Sequence, residues 1–298
     1  MHKWFLEILQ SPDLGNKLTL SDCNTLTDNG NGFVYPICNN VPSFLPQQEK
    51  ENNTSNANFR YIDHYTKDAE VFDYHRDKKD KLTEVSVAML QKTVIKQVPK
   101  NTGLLLDVGC GCAYVAKHFV NTNVKVVSLD IAQVNAEKAL QKYPAPNHAA
   151  VVADVYALPF AENTFDCIIA SEIIEHTIDP QKFIAALRRV LKPEGTFIIS
   201  TPYKERIEYS LCIHCNCATP KNAHLHSFDK NNMHKLHTNS SQKIEKIILV
   251  GNKLLLHTRA ILLIKKMGYT VWKCSDKIAN KLLPKAQYFI IKSKKTNR

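Results

Sequence analysis

The chain has 298 residues, 44% of them hydrophobic and 22% charged, the profile of a soluble globular protein with a real core. No apolar run approaches the roughly 20 residues that a membrane-spanning helix requires, and Met1 to Gln10 is too short and polar-flanked for a signal peptide. A net charge of +11 excludes an acidic solvating tail, and nine cysteines without an export signal read as thiols or metal ligands rather than disulfides. The expected location is the cytoplasm.

Charge and glycine are both unevenly placed. Residues 1–228 carry a net of −2 and residues 229–298 a net of +13, with 16 basic and 3 acidic side chains. Of only nine glycines, Gly103, Gly109 and Gly111 fall within nine positions, which marks backbone that must come close to something.

In chain order, residues 1–48 read as a small domain. It holds a short helix (Trp4 to Leu9), turn-rich sequence and the segment Gly32-Phe33-Val34-Tyr35-Pro36-Ile37. Residues 49–100 read as linker and lid helices. The stretch from Gln47 to Asn58 is polar, aromatics follow at Phe59, Tyr61, Tyr65, Phe72 and Tyr74, and a helical pattern runs through Leu82, Val85, Leu90 and Val94. Residues 101–298 then alternate. Strands are expected at 104–108, 124–130, 149–154, 165–170, 196–200, 243–250 and 286–292. Helices are expected at 113–121, 132–143, 180–193 (ended by Pro193) and from Leu254 to about Met267. Such alternation implies a mostly parallel sheet covered on both faces, an α/β class.

The segment Asp107-Val108-Gly109-Cys110-Gly111-Cys112-Ala113 joins a strand to a helix through two glycines, so a ligand can approach the main chain. Tyr114 occupies the last glycine position of a dinucleotide fingerprint and argues against a pyrophosphate there. Asp107 offers a carboxylate to an ammonium group. Asp130, with Ile131 beside it, is placed for ribose hydroxyls. Asp154 suits an adenine amino group, and the backbone at Val155 completes that pair.

These elements, followed by LKPEGTFIISTPY, resemble the class I S-adenosylmethionine-dependent methyltransferases over about residues 60–293. The resemblance implies S-adenosyl-L-methionine as cofactor and a Rossmann-like seven-stranded sheet whose last strand is antiparallel. It also implies direct displacement at the activated methyl carbon. Glu172-Ile173-Ile174-Glu175-His176 is similar to the Glu-x-x-Glu-His motif of ubiquinone-biosynthesis O-methyltransferases, which implies magnesium at Glu172, Glu175 and His176. If a helix starts there, the three share one face. Glu172 would also flank the cofactor, and His176 is the candidate base. Packing and capping account for the same residues without a metal.

Cys212, Cys215 and Cys217 precede His224 and His226 in a loop at about 205–228. A C-x2-C pair followed by histidines suits tetrahedral zinc, and the expected ligands are Cys212, Cys215 and His224 with Cys217 or His226. A metal-free cysteine-rich loop is the other reading. FLEILQSPDLGNKLTL and GFVYPICNNVPSFLP resemble the zinc-ribbon-like tRNA-methyltransferase activator family, with the metal pair replaced at Ser11 and Leu14.

The expected activity is methyl transfer to oxygen or carbon of a small-molecule acceptor that is quinone-like, phenolic or lipid-like. RNA methylation through the basic C-terminal region and a non-catalytic partner role are the alternatives. The same basic region suits an anionic substrate or a membrane surface, including peripheral attachment to its inner face. Nucleic acid is not favoured, because little aromatic residue is interleaved with the lysines.

Overall fold

The computed structural model describes residues 1–12, 14–21, 23–45, 61–73, 80–211, 216–239 and 242–296. In chain order they form α1 (Lys3–Leu6), β1 (Leu18–Leu20), β2 (Thr25–Asp28), β3 (Val34–Cys38), β4 (Val41–Pro42), α2 (Tyr61–Val71) and α3 (Lys81–Ile95). Next come β5 (Leu104–Val108), α4 (Tyr114–Phe119), β6 (Lys125–Asp130), α5 (Gln133–Lys142), β7 (His148–Val152) and β8 (Phe165–Ser171). The remainder is α6 (Pro180–Val190), β9 (Leu191–Pro202), β10 (Tyr209–Leu211), β11 (Ala218–Pro220), α7 (Lys230–Asn239), β12 (Gln242–Asn252), α8 (Lys253–His257), α9 (Ala260–Lys266), α10 (Tyr269–Leu282) and β13 (Ala286–Lys295).

Seven strands make one sheet in the order β12-β13-β9-β8-β5-β6-β7. Pairing of β5 with β6 and of β6 with β7 is parallel. The last strand, β13, runs antiparallel to both β9 and β12, so the expected Rossmann-like architecture stands. The central strands are apolar runs with almost every residue buried, which is why they form a sheet covered on both faces.

The chain divides into two compact units, Met1–Arg76 with Gly103–Asp166, and Asp77–Thr102 with Cys167–Arg298. In the first unit, β1 to β4 form an antiparallel four-stranded sheet in sequential order. Asp28 anchors its turn: the carboxylate accepts from the Gly30 and Asn31 amides at 2.7 and 3.3 Å. Burial alone would raise this carboxyl, but those amides and the Ser11 and Asn16 side chains hold it below its ordinary range. The segment docks by main-chain bonds to the sheet edge, with Phe44 N–H donating to Val152 O at 2.8 Å and Gln10 N–H to Pro159 O at 3.0 Å. The Trp4 indole adds a 2.9 Å bond to Pro146 O.

In the second unit, Asp80 and Asp179 cap α3 and α6 through two backbone amides each. A polar hub fixes the end of β12. The buried Asp276 carboxylate of α10 accepts from the Gly251 and Asn252 amides at 3.1 and 2.6 Å, while the Asn252 side chain reaches Asn280 and Leu283 O.

Three expectations need correction. The first helix stops at Leu6, because Leu9 turns to bridge Phe160 and Gln10 bonds Pro159. The helix expected to reach Pro193 ends at Val190, because buried Leu191 is already extended and begins β9. The single helix from Leu254 to Met267 is two, α8 and α9, broken where Arg259 adopts φ +57°. A further helix, α10, follows and was not expected. Among the described residues no helix is long and apolar enough to cross a membrane.

Candidate functional site

Two clusters of buried acids stand out, one in each unit. The first surrounds the turn after β5. Gly109 and Gly111 take φ +66° and +43°, a conformation that L side chains rarely adopt. A side chain at Gly111 would meet only Gly109 O, at 3.9 Å, so this backbone faces open space. Ala113 closes the turn at φ +53° and ψ +37°, where alanine is tolerated at a cost of about 1–2 kcal/mol. Main-chain bonds from Cys110 N to Leu129 O and from Ala113 N to Cys110 O, at 2.9 and 2.7 Å, hold its shape.

Asp130 ties this turn to the end of β6. Its two carboxylate oxygens accept from Gly111 N and Ala132 N, each at 3.0 Å. Burial nevertheless raises its pKa. Asp107 lies beneath, 1% exposed, and its Oδ2 has no hydrogen-bond partner among the described residues. Burial, with the Asp130 charge adding, pushes its pKa to about 8. A buried carboxyl with an unfilled acceptor is suited to a cationic or hydrogen-donating ligand group. Cys110 is also pushed up by burial and by these carboxylates, in keeping with a packing thiol.

The remaining cofactor candidates are placed as follows. Ile131 and Val155 are half-buried at the ends of β6 and after β7. Asp154 caps the short turn Val155–Ala157 through Tyr156 N at 3.0 Å, and its other oxygen receives the Tyr61 hydroxyl from α2. An adenine amino group would therefore share Asp154 with Tyr61. Phe59 and Tyr74 of the expected lid lie outside the described residues, while Phe72 is 61% exposed.

The second cluster follows β8. The shared face of Glu172, Glu175 and His176 is conditional on a helix starting here, but β8 runs through Ser171, and Glu172 then takes φ +58°. Only a short 3-10 turn, Ile174–His176, follows. Glu172 therefore leaves the face it was expected to share with Glu175 and His176, and its carboxylate accepts from the Ser200 hydroxyl at 2.9 Å.

Glu175 and His176 instead meet a residue 48 positions further on. The donor atoms of Glu175, His176 and His224 all lie within 4.8 Å of one another. The two imidazoles pack edge to face with centroids 4.7 Å apart. The His224 Nδ1 meets the Glu205 carboxylate at 2.5 Å, and the His176 Nδ1 meets Ala223 O at 3.2 Å. Glu175 is 1% exposed. One of its oxygens accepts from the Thr201 hydroxyl at 2.9 Å, and the other, Oε1, has no hydrogen-bond partner among the described residues. Burial pushes its pKa to about 8.

Of the expected zinc ligands, Cys212 and Cys215 lie outside the described residues, and Cys217 is exposed. His226 is half-buried and its backbone amide bonds Glu175 O at 3.2 Å. Glu205 and Thr201 were missed, since no spacing rule links them to the Glu-x-x-Glu-His string.

Residues 106–199 match the family model described as a methyltransferase domain. The human mitochondrial arginine-hydroxylase NDUFAF5 is 35% identical over 105 residues, covering 35% of this chain and 30% of that protein. The bovine mitochondrial ubiquinone biosynthesis O-methyltransferase is 30% identical over 121 residues, covering 37% and 31%. The chain thus spans under a third of the length of these two relatives. In fold it resembles the 1,6-didemethyltoxoflavin-N1-methyltransferase of Burkholderia thailandensis, solved with bound S-adenosylhomocysteine. The TM-score is 0.55 at 14% identity, over 94% of this chain and 99% of that one. Residues 106–199 thus match a methyltransferase-domain model, and the chain as a whole is built on a Rossmann-like fold.

Proposed function

We propose that the chain transfers the methyl group of S-adenosylmethionine to oxygen or carbon of a small, quinone-like, phenolic or lipid-like acceptor. The observation that carries this reading is the Asp107–Asp130 pair around the open Gly109–Gly111 turn. Asp107 would take the ammonium group, Asp130 with Ile131 the ribose, and Asp154 with Val155 the adenine. The cofactor supplies a sulfonium-activated methyl group when bound. The protein's own contribution is to hold that group in line with the acceptor and exclude water. Calorimetry with S-adenosylmethionine and S-adenosylhomocysteine tests the site, and labelled methyl donor with cell extract tests the transfer. A relative named as an arginine hydroxylase matches 105 residues of this chain, so incorporation of label is the decisive measurement. Binding without incorporation would sink the transfer reading.

The basic region supports an anionic membrane surface as the site of encounter with a lipid-like acceptor, at the inner face of a membrane. On the successive helices α8, α9 and α10, Leu254, Leu263, Ile278 and Leu282 are each more than half exposed, as is Met267 just after α9. Lys253, Lys265, Lys266, Lys277 and Lys281 lie among them. Of the three acids in residues 229–298, Asp276 is buried against amides, and Glu245 pairs with Lys292 and Lys294. Little negative charge is left to offset the lysines. Co-sedimentation with anionic but not neutral vesicles, weakened by Leu263→Ser with Leu282→Ser, is the expected result. Steeply salt-dependent RNA binding with no vesicle binding would favour RNA as the acceptor instead.

The N-terminal sheet, whose turn is held by hydrogen bonds to Asp28, supports a scaffolding role similar to that of the activator family.

A further inference from the structure

We propose that Glu175, His176 and His224 bind a divalent first-row transition ion, with Glu205 as the carboxylate that orients His224.

Each imidazole presents its Nδ1 to an acceptor: that of His224 to Glu205, and that of His176 to the Ala223 carbonyl. A ring whose Nδ1–H donates to an acceptor carries its lone pair on Nε2, the nitrogen that ligates a metal. A ligating histidine almost always donates its other N–H to a carboxylate or carbonyl, and both second partners are present here. The third donor is Glu175. Its Oε2 takes the Thr201 hydroxyl, which leaves Oε1, buried and without a hydrogen-bond partner among the described residues, as the ligating oxygen. An unpaired carboxylate oxygen in such a place is costly unless a cation or donor fills it.

Backbone geometry keeps the three together. The Leu225 and His226 amides donate to Glu175 O at 2.8 and 3.2 Å, and so clip the His224 segment to the turn after β8. Donors within 4.8 Å of one another close around an ion by side-chain rotation, since ligands about 2.1 Å from a common metal are separated by roughly 3–3.5 Å.

This set differs from the magnesium trio expected from Glu172, Glu175 and His176. Glu172 is turned to Ser200, and a second imidazole takes its place. Two imidazoles and one carboxylate favour a transition ion over magnesium, which prefers oxygen ligands and retains its waters. Three protein ligands leave open positions for water or a substrate oxygen. The proposal does not depend on methyl transfer.

The test is cobalt(II) binding by the full chain, purified without a histidine tag, stripped of metal and followed by visible absorption. One equivalent with ligand-field bands, and no thiolate charge-transfer band, is expected. His224→Asn should abolish those bands. Glu205→Gln should weaken affinity by about 10–100-fold while leaving the thermal melting curve of the metal-free protein in place. Cys212→Ser with Cys215→Ser should leave the spectrum unchanged. The proposal is overturned if wild-type protein shows no cobalt bands, if His224→Asn retains them, or if the cysteine variant loses them.

Discussion

Two acidic sites, one in each unit, are answered by different groups. At the turn after β5, Asp130 turns both oxygens to backbone amides and thereby fixes the shape of the turn. After β8, Glu175 and Glu205 meet a hydroxyl and an imidazole, side-chain groups that leave ligand atoms in reach of one another. A carboxylate answered by main chain sets where a ligand's backbone contacts fall. One answered by side chains has chemistry of its own to offer. By this contrast, changes in one unit should leave the other unit's ligand untouched.

The largest expected effect tests that separation. Asp130→Ala removes an acceptor for two amides and, on the function proposed above, for the ribose, so S-adenosylmethionine affinity should fall by about 100-fold or more in calorimetry. Cobalt binding should persist in the same variant. Loss of both would show the two clusters to be one cooperative site.

The carboxyl of Asp107 has its pKa raised from 3.8 to about 8, so in the ligand-free protein it is largely protonated at pH 7. A folded pKa above the unfolded one stabilises the fold below the unfolded value. That contribution is lost as pH rises from about 4 to about 8. An ammonium group beside Asp107 reverses the preference and expels the proton. Calorimetry of cofactor binding at pH 7 in buffers of different ionisation enthalpy should show release approaching one proton. A buffer-independent enthalpy would remove Asp107 from the ammonium site.

His237 moves the opposite way. Burial lowers its pKa from 6.5 to about 4, against the partial support of Met233 O. The unfolded chain therefore binds the extra proton between pH 6.5 and 4, and stability falls as pH drops through that window. Replacement by leucine should flatten the melting temperature over this range by the equivalent of about 1–3 kcal/mol. Smallest is Ala113→Gly. It relieves the left-handed strain at the cofactor turn but loosens the unfolded chain, for a net gain of about 0.5 kcal/mol in chemical denaturation.

Much of the sheet is legible in the sequence, because β5, β6 and β8 are short, mostly apolar runs bounded by turns. The glycine turn after β5 is legible for a related reason, since two glycines between a strand and a helix mark backbone that takes positive φ. What escaped depended on distance in sequence or on mixed patterns. α10 buries Trp272 together with Asp276 and Asn280 and leaves Ile278 and Leu282 outside, so no clean apolar stripe announced it. Glu172 broke the expected helix by adopting a conformation that residue identity does not signal. Spacing within one string could not show that His224 and Glu205 converge on Glu175 and His176, since that meeting is made by the tertiary fold.

The main-chain bond from Phe44 to Val152 has a consequence for solubility. β7 ends the seven-stranded sheet, and an exposed outer strand invites another chain to add itself there. Here the protein's own N-terminal segment occupies part of that position, through the Ser43–Val152 bridge and the Phe44 amide. The leading residues thus act as a guard against unwanted polymerisation. A chain shortened to begin after Leu45 should keep its fold signature yet assemble into larger species as its concentration rises.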